Sequence, residues 1–174
     1  MKPRARPSLI KSDLATAGAE MALVAPMLII LMFGSFELGN YFLSEHVVVK
    51  AVRDGARYAS RLNITNYPCT APATGLAPAG TVVDDTRNLT RTGQISGGSS
   101  RISSWTSATT ITVTYDCVTS NSNADYSGIY NGMSNVPRIK VSAVVPYDSL
   151  FNDLGFTSTT LSMKAESQVS VMGI

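Results

Sequence analysis

The sequence predicts an α+β protein in which one long N-terminal helix leads into a domain of a short helix and an antiparallel β-sheet. Three observations predict it. Met21 to Phe36 runs for sixteen residues without a formal charge. Apolar residues then recur at helical spacing up to Leu62, and period-two alternation begins only after Thr109.

The apolar run covers about 24 Å as a helix, short of a hydrocarbon core of roughly 30 Å. Extending it to Leu43 closes the gap and puts Glu37 and Asn40 near one interface, where a carboxylate costs less than at the midplane. The expected organisation is a basic leader at 1–15, a membrane-spanning helix at 16–43, an amphipathic extension at 44–62 and an exported α+β domain at 63–174. Lys2, Arg4, Arg6 and Lys11 precede the apolar run, and the positive-inside rule holds that end in the cytoplasm. A removable secretory signal has the same outline. Here, however, the run is too long for one, no small-x-small cleavage pattern closes it, and the helical pattern continues past it.

Within the helix, Pro26 lacks an amide proton and is expected to kink the rod. Gly34 and Gly39 offer small surfaces for the close approach of another helix, although glycine is also common in membrane helices. From Ser44 onward, Val47, Val48, Ala51, Val52, Ala56 and Ala59 share one face, while Lys50, Arg53, Arg57 and Arg61 share another.

After Leu62 the prolines and glycines between Asn63 and Thr81 predict a loop. Val82 to Thr92 has helical spacing, and Gly93 suits its end. Strands are expected at Thr109–Val118, Arg138–Tyr147 and Thr159–Val171, with a polar loop at Ser120–Asn135 and a short turn at Leu150–Leu154 between them. In the last strand the alternation breaks near Ser167, which suggests a bulge. Cys69 and Cys117 would form one disulfide in an oxidising compartment. Free thiols are the other reading, but neither cysteine has metal-ligand spacing around it.

Composition excludes several function classes. A net charge of +2 and a pI of about 8.6, with charged residues at 15% and no arginine-rich run after the leader, do not describe a nucleic-acid-binding chain. The only histidine is His46, with no acid or nucleophile fixed beside it. Asp84 and Asp85 are adjacent on a helix and do not face one spot. No phosphate loop, zinc spacing or serine elbow is present, so no enzyme activity, cofactor or metal is expected.

The order Glu20, MALVAP, FELGNYF and then Ala51-Val52-Arg53-Asp54-Gly55-Ala56-Arg57-Tyr58-Ala59 resembles the TadE-like proteins, pseudopilins of bacterial tight-adherence pilus systems. Glu37, Arg53, Gly55 and Arg57 carry the family motif. The resemblance implies a pilin-like fold and a single-pass protein of the bacterial inner membrane, with its C-terminal domain in the periplasm. It also implies a minor component that assists assembly or initiation of the pilus by helix packing. The implied partners are the inner membrane, other pseudopilins, the major pilin, the inner-membrane platform of the pilus and, for a processed chain, a prepilin peptidase.

Placing Glu20 fifth in the mature chain makes Thr16 its first residue and Ala15 the residue before the cut. Alanine stands there where the family usually has glycine. That departure keeps a second function open, a permanently anchored periplasmic scaffold or binding protein that enters no filament. Independently of the family, a carboxylate packed among apolar helices needs a cation, and a neighbouring α-amino group would favour one axial stagger. Glu20 is thus the expected register device; the plainer alternative is a carboxylate that merely ends the span in the headgroup region.

Overall fold

The computed structural model of the 174-residue chain describes residues 13–119, 129–152 and 161–173. The leader before Asp13, most of the polar loop after Ser120, the end of the turn at Leu154 and the start of the last predicted strand at Thr159 lie outside them. Helix α1 spans Asp13–Ser60, 48 residues, and continues through Pro26. At 1.5 Å per residue it is about 72 Å long, so only part of it can pack on a domain of this size. Between Met21 and Met32 no layer lies against it, while Val48, Ala51, Val52, Ala56 and Ala59 are fully buried.

Helix α2 occupies Val82–Thr92, the predicted span, and ends at Gly93 with φ of 84°. That left-handed conformation strains any side-chain-bearing residue and directs the chain out of the helix.

The sheet is a meander of four antiparallel strands in the order β1 (Ala73–Leu76), β2 (Ile111–Thr119), β3 (Asn135–Pro146) and β4 (Ser162–Ser170). Strand β1 corrects the expectation of an uninterrupted loop there. It has only four residues, includes Gly75 in the left-handed region, and owes its place to pairing with β2. No hydrophobic period could have announced it.

The bulge expected near Ser167 is absent. The register with β3 runs evenly through Val141↔Ser167 and Lys140↔Gln168. Met163, Ala165, Ser167 and Val169 keep one side and Gln168 faces solvent, so the apparent break is one polar residue on the inner face.

Ile111, Val113, Tyr115 and Cys117 of β2 and Ile139, Val141, Ala143 and Val145 of β3 form the buried face. The second half of α1 lies across β3 and β4, and α2 lies beside it over β2. This is a two-layer α+β arrangement with one core. Trp105, fully buried in the segment after α2, donates its indole N–H to Thr110 Oγ1 at 2.9 Å, which satisfies its one polar atom. Cys69 and Cys117 form a disulfide with Cα atoms 5.5 Å apart, tying the segment after α1 to β2.

The C-terminus of α1 is fully occupied. A helix leaves its last four carbonyls without internal partners. Here Ser60 Oγ donates to the Arg57 carbonyl and the Arg61 amide to that of Tyr58. Ala59 accepts from the Leu62 amide and from the Tyr67 hydroxyl at 2.6 Å, and Ser60 accepts from the Met172 amide at 2.7 Å. The rod therefore ends inside the domain, held by groups from two distant parts of the chain.

Candidate functional site

From Met21 to Met32, α1 presents a greasy surface on every side. Met21, Leu23, Val24, Met27, Leu28, Ile29, Ile30, Leu31, Met32 and Phe36 are all exposed, Leu23 at 76%. A soluble domain rarely leaves an apolar patch of that extent uncovered. By length and composition this helix is long and apolar enough to cross a membrane.

Glu20 stands at the start of this surface, exposed and without an ion-pair partner among the described residues. Ala15 and Thr16 precede it on the same helix. Pro26 is exposed, and a Cβ placed on Gly34 or Gly39 would meet nothing within 4 Å, so both glycines leave open surface along the rod. These positions are not brought into one pocket. They are strung along one helix, which suits a packing surface rather than a reaction centre.

Glu37 is where the rod meets the domain. Tyr147, the residue after β3, donates its hydroxyl proton to Glu37 Oε1 at 2.9 Å, with the Glu37 carbonyl oxygen 3.2 Å away. Oε2 accepts the Leu150 amide at 3.2 Å, and Asn40 Nδ2 donates to the Tyr147 oxygen at 3.0 Å. Burial pushes the Tyr147 phenol up; the Asn40 hydrogen bond opposes this and Glu37 reinforces it. Ring contacts extend the junction in both directions. Tyr41 meets Tyr147 edge-on at 5.2 Å, and Phe33 meets Phe151 edge-on at 4.9 Å.

The sequence reads Glu37 as a carboxylate near a membrane interface, where its cost is lower than at the midplane. The sequence alone could not say that its partner was Tyr147, because 110 positions separate the two.

The second motif separates into two jobs. Gly55 is buried where a Cβ would collide with Thr90 Oγ1 of α2, so glycine lets the two helices touch. Beside it, Asp54 pairs with Arg101 at 3.1 Å, fixing the segment after α2 to the rod. Arg53 and Arg57 point to solvent, in line with exposed Lys50 and Arg61. His46 is exposed, and among the described residues no group of three His, Cys, Asp or Glu side chains could hold a metal ion.

Comparison with known families gives one finding. Residues 16–57 match the family model of TadE-like proteins, a span that contains Glu20, Glu37, Arg53, Gly55 and Arg57. No curated protein and no solved structure matches the chain.

Proposed function

We propose that this chain, TadE-like along its membrane rod, is a minor pseudopilin that helps assemble or initiate a tight-adherence pilus by helix packing, and is not an enzyme. The observation that carries the reading is the uncovered apolar half of α1, with Glu20 at its foot and open glycine surfaces at Gly34 and Gly39. In this reading the inner membrane stores the subunit with its leader in the cytoplasm and its sheet in the periplasm. During assembly the rod exchanges lipid for the rods of other pseudopilins and of the major pilin, at the inner-membrane platform. Packing within a bundle resembles packing in lipid in its apolar contacts, so the exchange turns on shape and on the few polar groups present. Glu20 supplies that polar term. Paired with the α-amino group of a neighbour processed at Thr16 by the prepilin peptidase, it favours one stagger among many.

The test is Glu20→Ala in cells that make the pilus. Membrane insertion is expected to be retained and incorporation with partner pilins lost. Normal pilus assembly by that variant would remove Glu20 from the mechanism.

Ala15 supports the second reading, a fixed periplasmic scaffold that keeps its leader. Mass spectrometry of the native N-terminus separates the two. A chain beginning at Thr16 supports the pseudopilin, and one retaining Lys2 to Ala15 supports the scaffold.

A further inference from the structure

We infer that the segment following β3, at Leu150 and Phe151, is a second membrane contact that rests in the acyl chains beside the point where α1 leaves the bilayer. The inference rests on the reading of α1 as a membrane span and adds a lipid-binding surface on the domain itself.

Depth comes first. With Glu37 at the interface, Met27 lies ten residues below it, about 15 Å, near the centre of a hydrocarbon core of roughly 30 Å. Phe33 lies one turn below Glu37, about 6 Å into the membrane. Phe151 packs edge-on against Phe33, so its ring is at that depth too. Leu150 is 59% exposed, and Phe36 on the adjoining turn of the rod is 60% exposed. In water these side chains would extend the uncovered patch of the rod onto the domain.

Backbone chemistry agrees with a lipid occupant. A non-helical segment can enter an apolar layer only when its amide groups have partners. The Leu150 amide donates to Glu37 Oε2 at 3.2 Å and the Phe151 amide to Ser149 Oγ at 3.2 Å. Glu37, which would otherwise be a costly charge at the membrane edge, receives hydrogen bonds from both Tyr147 and Leu150. Asp148 is exposed. The Leu150 amide and the Glu37 carboxylate satisfy each other on the rod side while the Leu150 side chain remains open, the division expected of an interfacial anchor dipping about 5–10 Å into the bilayer.

The experiment uses the full chain in vesicles of phosphatidylethanolamine and phosphatidylglycerol carrying brominated acyl chains. Native Trp105 is fully buried in the domain and serves as the unquenched background. Leu150→Trp reports on the proposed contact, and Met27→Trp, at a site 67% exposed on the rod, reports on the span. The expected result is loss of added emission from both variants, with bromines near the headgroup more effective for Leu150→Trp and bromines near the chain ends more effective for Met27→Trp. Quenching of Leu150→Trp by aqueous iodide alone, with Met27→Trp still quenched by lipid, would overturn the contact and leave the span intact. Protection from both quenchers would also overturn it, by assigning Leu150 to a protein neighbour. Failure of Met27→Trp to respond to brominated lipid would remove the span and the contact together.

Discussion

Oε1 of Glu37 and the hydroxyl of Tyr147 meet at 2.9 Å, joining the middle of the rod to the end of β3. A hydrogen bond to a charged group contributes about 1.5–3 kcal/mol when protected, and less where solvent reaches it, as it does half-buried Glu37. Tyr147→Phe is therefore expected to destabilise the domain by about 1 kcal/mol. Thermal unfolding in detergent measures it. In a double-mutant cycle with Glu37→Gln the two losses should fall short of additive, and full additivity would mean that the pair is not coupled.

Gly55→Ala should cost about 1–3 kcal/mol, because the added methyl group overlaps Thr90 Oγ1 and neither helix can withdraw without opening the core. Combining it with Thr90→Ala removes the colliding atom and should restore part of the loss. A Gly55→Ala protein as stable as the parent would show that α1 and α2 have room between them.

Reduction of the Cys69–Cys117 bridge releases a 48-residue separation from its constraint on the unfolded chain. The chain-entropy treatment puts the effect at about 4 kcal/mol. Melting with and without a phosphine reductant should show a lower midpoint for the reduced form, and equal midpoints would refute the prediction.

Tyr67 predicts how stability depends on alkaline pH. Its phenol is pushed well above the ordinary value of 10.0, first by burial and then by Tyr58. The folded state therefore holds this proton where the unfolded state has released it. Stability from Tyr67 is complete below pH 10 and declines as pH rises beyond that value towards the raised pKa. Unfolding midpoints should fall in that range for the parent. The fall should be shallower in Tyr67→Phe, which also loses the bond to the Ala59 carbonyl and starts from lower stability.

Elements governed by local rules were legible in the chain. Val82, Val83, Thr86, Leu89 and Thr90 mark α2, Gly93 its end, and the alternation in β2 and β3 their inward faces. What escaped depended on distant partners. β1 exists because β2 offers it an edge, and the place of Ser167 is set by its pairing with Val141. Trp105 could be seen as a large apolar residue but not as part of the core, since the segment holding it has no period. Glu37 and Gly55 could be recognised as parts of a motif, yet neither Tyr147 nor Thr90 could be named without the fold. For Glu20 the matching charge, in the reading proposed above, belongs to another molecule.

The domain grips the rod from Phe33, where Phe151 touches it, to Ser60, where the Met172 amide closes it, a stretch of about 40 Å. Attachment at both ends of that stretch prevents the domain from swivelling about the helix axis. Rod and domain consequently turn together, like a key and its shank. Whichever side of the rod faces a neighbour dictates the compass direction in which β1 and the basic row from Lys50 to Arg61 look outward, so in the proposed assembly the pattern displayed is already written in how its greasy cores mesh.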